Sequence, residues 1–239
     1  LDAGSSSPPA ADLAGQLVPA ITRPGDDGQH PVAVAGIDGR SGSGKSTLSR
    51  TLADLLLDLG TTVTLIEGDD FYTGGSATTW ERRSPRQKVD RGMDWRRQRP
   101  VLEALRAGRP ATFQPFHWDA DDWDGEPAPL APDPIHVEPA AVVLLDGAYS
   151  CRPELHDLLD LRVLLEVPRD VRRRQLLERE GEAYRADWEG RWSVAEDLYF
   201  GEDMPPTAFA VVLTPTRAAP SPRSDASRPS GTGRSRQLG

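Results

Sequence analysis

The sequence has little cysteine, an excess of acidic over basic residues and no long apolar run. Cys151 is its one cysteine among 239 residues, so the chain can form no internal disulfide and no cysteine-based zinc site, and we expect a reducing compartment, the cytoplasm. The net charge of −9 argues against a nucleic-acid partner, because nucleic-acid-binding proteins usually carry a basic surface. The longest wholly apolar run, Ala140–Leu145, is too short to cross a membrane. The first residues lack the pattern of a secretory signal, and we expect none.

Glycine and proline are abundant, with 22 residues of each, and this excess is concentrated in particular segments. The last 26 residues, 214–239, carry a net charge of +4 and a single large apolar side chain, Leu238. Such a segment cannot bury enough surface to offset its ordering entropy, so we predict a disordered basic tail. Residues 1–30 are predicted to be an N-terminal extension with a short helix over Ala11–Ile21. The body, residues 31–213, carries a net charge of −10.

Within the body, short apolar segments alternate with segments of helical periodicity. The predicted strands are Val32–Ile37, Thr62–Ile66, Ala141–Leu145, Leu161–Val167 and Ala208–Leu213. The predicted helices are Ser46–Leu59, Arg96–Ala107, Asp170–Glu180 and Arg185–Tyr199. Strands separated by helices predict an α/β fold, in which a parallel sheet carries helices on both faces.

The strongest motif lies between the first predicted strand and the helix that follows it. Gly39, Gly44, Lys45 and Ser46 satisfy the pattern G-x-x-x-x-G-K-[ST] of a phosphate-binding loop. Glycines let successive backbone N–H groups turn toward an anion, and the helix N-terminus adds positive potential. Lysine can reach the β- and γ-phosphates, and the serine hydroxyl can ligate Mg²⁺. The predicted nucleotide-binding residues are Gly39, Arg40, Ser41, Gly42, Ser43, Gly44, Lys45, Ser46 and Thr47.

An acidic and aromatic segment, Glu67–Tyr72, follows the second predicted strand. Ligands in open α/β sheets bind beyond the carboxyl ends of the strands, so this segment should face the phosphate loop. A carboxylate there could accept a proton from an attacking hydroxyl or hold a water on Mg²⁺. The alternative is a solvated acidic turn.

Taken in order, the motifs of residues 31–213 resemble the uridine kinase and phosphoribulokinase family of phosphate-loop kinases, most of all its uridine-kinase-like actinobacterial members. The resemblance implies a phosphate-loop kinase domain with a helical lid over about 170–200, which uses ATP and Mg²⁺. The matching segments are Gly36–Thr47, Asp69–Tyr72, Met93–Arg97, Pro115–Asp119, Leu145–Ser150, the arginine-rich helix from Asp170, and Ala195–Phe200.

The resemblance also implies roles for individual residues. Asp69 corresponds to the aspartate that takes the proton from a sugar hydroxyl, and Asp146 to the acidic position that with Ser46 serves Mg²⁺. The implied acceptor-binding residues are Asp69, Tyr72, Asp94, Phe116, His117 and Trp118. The implied catalytic residues are Asp69, Lys45 and the lid arginines Arg172 and Arg179, which would neutralise phosphates.

Structural alternatives to these roles remain open. Asp94 could cap the helix that starts near Trp95, His117 could be a surface histidine, and Trp118 could cover a loop. The lid arginines could form a solvated helix face paired with glutamates.

The chain also departs from the family pattern, with Gln175 in place of a second lid arginine and Asp146 in place of the usual glutamate. We therefore predict an ATP-dependent kinase whose acceptor is a nucleoside such as uridine or cytidine. The alternatives are a kinase for a non-nucleoside alcohol (pantothenate-, phosphoribulose-, glycerate- or antibiotic-like), or a regulatory ATPase. No membrane partner is expected, and a homo-oligomer remains an open option.

Overall fold

The computed structural model describes residues 9–22, 33–118, 120, 129–181 and 191–215. Most of the predicted disordered tail, residues 216–239, lies outside the described residues, as do residues 182–190 of the predicted lid.

A five-stranded parallel sheet forms the centre of the fold, in the order β2-β5-β1-β6-β7. Every neighbouring pair in it is parallel, as the alternation of strands and helices predicted. The strands are β1 (Ala33–Asp38), β2 (Val63–Glu67), β5 (Val142–Asp146), β6 (Leu161–Leu165) and β7 (Val211–Leu213). A separate antiparallel pair joins β3 (Ala111–Phe113) to β4 (Ile135–Val137).

Helices connect the strands. They are α1 (Pro9–Ile21), α2 (Lys45–Asp58), α3 (Ala77–Arg82), α4 (Pro85–Gly92), α5 (Trp95–Arg106), α6 (Arg169–Glu180) and α7 (Ser193–Leu198). The predicted helix Arg185–Tyr199 is described only from residue 191, and a π-helical turn, Tyr199–Asp203, follows α7. The predicted strand Ala208–Leu213 begins later, at Val211, because Pro206–Ala208 form a 3₁₀ turn.

Successive side chains of the strands enter two different cores. On β5, Val143 and Leu145 pack with α5 and α7, whereas Val142 and Leu144 pack with α1 and α2. Strand side chains alternate between the faces of a sheet, so a strand buried on both faces reads as a continuous apolar run. The leading helix α1 is part of the second core, since Leu17 is fully buried there.

Two of the helix ends follow directly from glycines. Gly60 has φ +81°, and its N–H donates to the carbonyl of Leu57, while the next N–H reaches Leu56. Gly108 ends α5 in the same way with φ +70°. Glycine adopts this left-handed conformation without steric cost, which is why both stops could be predicted from the sequence.

Candidate active site

The phosphate loop connects the central strand β1 to α2 at the carboxyl edge of the sheet. Gly44, with φ +90°, precedes the first helical residue, Lys45. The ammonium of Lys45 donates to the carbonyl of Arg40, 3.3 Å away, which folds the lysine back over the loop. A cation and a helix N-terminus therefore lie together at this loop, and their binding of phosphate stays a prediction.

Glycine is required in this loop for close packing. A Cβ at Gly42 would lie 2.7 Å from the carbonyl oxygen of Arg172 and 2.7 Å from the Leu176 side chain. A Cβ at Gly39 would lie 2.6 Å from the carbonyl oxygen of Leu165. Both positions also have positive φ. The loop is therefore pressed against β6 and α6, and larger residues would displace it.

Asp38, the last residue of β1, is fully buried beneath the loop. Its Oδ1 accepts from the N–H groups of Gly39 and Tyr149, and its Oδ2 from the Cys151 N–H and the Tyr199 hydroxyl. Burial raises the pKa of this carboxyl, and the hydrogen bonds oppose that rise. Sequence reasoning gave Asp38 no role, because three of its four partners lie more than a hundred residues away along the chain.

Asp146 ends β5 directly beside the start of α2. Burial raises its pKa to about 6, and the nearby Lys45 ammonium and Ser46 hydroxyl oppose the rise. One carboxylate oxygen, Oδ1, is buried without a hydrogen-bond partner among the described residues. A buried carboxylate oxygen beside a serine hydroxyl fits Mg²⁺, which prefers oxygen ligands and usually takes only one or two of them from the protein.

Asp69 lies opposite the phosphate loop, in a 3₁₀ turn, Gly68–Phe71, that follows β2. It shares one cavity of about 330 Å³ with Lys45 and Ser46. The cavity is lined by Ser41, Gly42, Gly44, Lys45, Ser46, Thr47, Asp69, Tyr72, Gly92, Met93, Trp118, Gly147, Ala148, Tyr149, Arg179, Trp192 and Glu196. The structure thus brings three of the predicted acceptor-binding residues, Asp69, Tyr72 and Trp118, into one cavity with part of the predicted phosphate loop.

Aromatic rings form the wall of this cavity away from the phosphate loop. Tyr72 stacks on Trp118 with ring centroids 5.4 Å apart, and it meets Phe116 edge-on at 5.0 Å. Trp192, which the sequence analysis did not single out, approaches Tyr72 at 6.2 Å. Burial raises the pKa of Tyr72 to about 12, so its hydroxyl stays protonated at neutral pH. The wall suits a flat ring that can stack on aromatic side chains.

Four of the predicted acceptor-binding and catalytic residues do not line the cavity: Asp94, Phe116, His117 and Arg172. The Asp94 carboxylate accepts from the Arg96 N–H and caps α5, as the structural alternative to acceptor binding predicted. Contact of Asp94 with ribose hydroxyls stays a prediction. His117 is half-buried beside Phe116 and is not part of the cavity wall. Arg172 is buried behind the phosphate loop, where its Nε donates to the Val167 carbonyl. Arg179, in contrast, lines the cavity.

A second cavity, of about 470 Å³, adjoins the outer side of the phosphate loop. Gly44 and Thr47 line both cavities. Its walls are mostly apolar, and α1 supplies Ala10 and Leu13. The polar residues at its rim include Asp170, Arg174 and Gln175. The helix α1, which precedes the phosphate loop in the sequence, therefore forms part of the second cavity.

The phosphate loop follows the central strand of a parallel sheet, and Asp69, after β2, lines the same cavity as the loop. This is the fold of the phosphate-loop kinases. The family model described as Phosphoribulokinase / Uridine kinase family matches residues 34–190, more than half of the chain. The chain belongs to this family, which the resemblance of its motifs had predicted.

Individual relatives agree with this assignment. The uridine kinase of Halobacterium salinarum is 29% identical over 152 residues, and the match covers 63% of each chain, so it spans less than two thirds of that relative's length. A possible uridine kinase from Bacillus stearothermophilus has a TM-score of 0.56 at 20% identity, covering 85% of this chain and 96% of that one. D-glycerate 3-kinase from Cryptococcus neoformans var. grubii has a TM-score of 0.55 at 13% identity, covering 86% and 93%. At these identities the two solved structures support the fold alone.

None of the helices within the described residues is both long and apolar enough to cross a membrane.

Proposed function

We propose that the protein is an ATP-dependent kinase that transfers the γ-phosphoryl group to a hydroxyl of a small ring-bearing acceptor, a nucleoside such as uridine or cytidine. One observation carries this proposal. Lys45, Ser46 and Asp69 line the same cavity as the stacked rings of Tyr72 and Trp118. The phosphate-binding end and the ring-binding end are therefore close enough for one small molecule to reach both.

At the phosphate end, the residues of the loop would bind and orient the nucleotide. Backbone N–H groups of residues 39–47 would cradle the phosphates, and Lys45 would offset charge on the transferring group. Ser46 and Asp146 would hold Mg²⁺. When bound, this ion supplies neutralisation of the phosphate oxygens. Arg179 lines the cavity and is the lid arginine that we propose for the phosphates.

At the acceptor end, Asp69 would orient the attacking hydroxyl and accept its proton. It is an exposed carboxylate on the cavity wall, so an acceptor can approach it without displacing the core. The aromatic wall would hold the acceptor ring and exclude water from one side, which limits ATP hydrolysis.

The second cavity is our proposed site for the nucleotide base. It adjoins the loop at Gly44 and Thr47, and its volume of about 470 Å³ is within the range of small-ligand pockets. Its apolar walls would contact the faces of the base, and rim groups such as Gln175 would meet its polar edge. We propose that the protein acts in the cytoplasm, where it meets ATP and free nucleosides.

The test is ADP release from ATP with and without a panel of acceptors. The panel holds nucleosides, pantothenate, glycerate, ribulose 5-phosphate and aminoglycosides. ADP release that depends on uridine or cytidine supports the proposal. Release that depends on another alcohol would show that this alcohol, and not a nucleoside, is the acceptor. Release without any acceptor identifies an ATPase and contradicts the proposal.

Two variants link the reaction to the site. Lys45→Met should abolish transfer, since it removes the cation at the transferring group. Asp69→Asn should lower transfer by about 10²-fold or more and leave ATP binding within about threefold of the parent. Full turnover by Asp69→Asn would exclude Asp69 as the base.

A further inference from the structure

A buried glutamate, Glu196, lies in the wall of the phosphate cavity. It belongs to α7 and is only 2% exposed. Its Oε1 accepts from the backbone N–H of Ser41 at 2.7 Å. Its Oε2 has no hydrogen-bond partner among the described residues. A carboxylate at this position needs a compensating charge, because the site must also accept the negative charges of a nucleotide.

Arg172 contacts the same loop residue. Its Nη1 donates to the backbone carbonyl of Ser41 at 3.3 Å and lies 3.8 Å from Oε2 of Glu196. Its Nε donates to the carbonyl of Val167. The backbone N–H and the backbone C=O of Ser41 are thus bound by the two members of one buried ion pair.

The loop residues on either side of Ser41 contact the same two segments of the chain. Arg40 forms an ion pair with Asp197 at 2.5 Å, and its guanidinium lies over the ring of Phe200. Gly42 packs against the backbone of Arg172, as described above. Residues 40–42 are therefore fixed between α6 and the segment that begins with α7. In the sequence, these two segments come before and after residues 182–190.

We propose that Glu196 and Arg172 are positioning residues of the phosphate site: Glu196 fixes the backbone of the loop at Ser41, and Arg172 is the counter-ion of Glu196 and not a phosphate ligand. This inference rests on the proposed nucleotide binding. Burial lowers the pKa of Arg172 and the neighbouring Glu196 opposes that change, which agrees with a charge engaged inside the protein. The positive charge for the transferring phosphate then comes from Lys45 and from Arg179 at the cavity wall.

Three variants test this assignment by affinity for a non-hydrolysable ATP analogue with Mg²⁺. Arg172→Met leaves an uncompensated carboxylate in the phosphate cavity, so Kd should rise about tenfold or more. Glu196→Gln keeps an oxygen acceptor for the Ser41 N–H and removes the negative charge, so Kd should stay within about threefold of the parent or fall. In the double variant, affinity should return to within about threefold of Glu196→Gln.

The rescue distinguishes the two roles for Arg172. If Arg172 bound the phosphates directly, the double variant would bind as weakly as Arg172→Met, and the inference would be wrong. A tenfold weaker affinity of Glu196→Gln would also overturn it. Glu202→Gln, an exposed glutamate paired with Arg86, controls for the loss of one carboxylate.

Thermal unfolding without ligand separates folding from binding. If Arg172→Met does not fold, the affinities of Glu196→Gln and of the double variant still test the inference, since both are expected to fold and to bind the analogue. No binding by the parent protein would contradict the proposed function together with this inference. Binding by the parent without rescue contradicts the inference alone.

Discussion

The hydroxyl of Tyr199 donates to Oδ2 of Asp38 at 2.8 Å, inside the core below the phosphate loop. This bond joins the segment after α7 to the residue that immediately precedes the loop. Asp38 also receives three backbone N–H groups, two of them from the chain just after β5. The start of the phosphate loop is thus held by a single carboxylate that three parts of the chain share.

Tyr199→Phe should reduce the free energy of unfolding by about 1–2 kcal/mol, because a buried carboxylate loses one of four donors. Denaturant unfolding measures this loss. Thr112→Val, which removes the bond of an exposed threonine on β3 to His136 on β4, is the control and should change stability by less than about 0.5 kcal/mol. Equal effects of both changes would show that the Tyr199 bond contributes little.

Ala10→Phe should weaken ATP binding about tenfold, because the larger ring enters the proposed base cavity that Ala10 lines. Tripolyphosphate has no base, so its affinity should not change. Isothermal titration of both ligands gives the two affinities. Ala11→Phe is a matched control, since Ala11 is the next residue of α1 and is exposed. Weakening of both ligands, or equal behaviour of the two variants, would contradict a base site in this cavity.

Trp118→Ala should raise the acceptor KM about tenfold and leave the affinity for the ATP analogue unchanged, because Trp118 stacks on Tyr72 at the acceptor end. Trp118→Phe should retain most of the affinity. Steady-state kinetics with saturating ATP separate KM from kcat. Since Trp118 is 60% exposed, stability should hardly change. Leu59→Ala, at another exposed apolar residue, is the control. An unchanged KM would leave Trp118 as a cover for its loop.

Asp70→Asn should alter how stability depends on pH. Burial, together with the charges of Glu67 and Asp69, raises the pKa of Asp70 from 3.8 to about 6. The folded protein therefore binds more protons than the unfolded chain between these values, and stability falls as the pH rises through this window. The asparagine variant lacks this loss.

Relative to the parent, Asp70→Asn should therefore gain stability between pH 4 and pH 7. The gain should be about 1 kcal/mol once solvent screening of a half-buried group is allowed for. Urea unfolding at several pH values measures it, with the exposed Asp54→Asn on α2 as the control. A gain that is the same at every pH would exclude the titration of Asp70 as its cause.

The parallel sheet was predictable because its central strands are buried on both faces and appear as apolar runs. β3, β4 and β7 have only three residues each, which is too short for a periodicity to be read. The pair β3–β4 was missed, and the last strand was placed three residues too early. Helices α3 and α4 were also missed, although Ser84 and Gln87 form a capping box at the start of α4 that could have revealed it.

The phosphate loop was predictable from local sequence alone, since the glycines between β1 and α2 permit the backbone conformations that an anion site needs. The sequence also located Asp69 at a strand end, where parallel topology brings carboxylates to the loop. Which charged groups contact one another depends instead on the packing of distant segments. Arg172 contacts Glu196 and also Ser41, which is more than a hundred residues away in the sequence. Asp38 contacts Tyr199 across a similarly long separation. Such pairings depend on how helices pack on the sheet, and no local pattern encodes them.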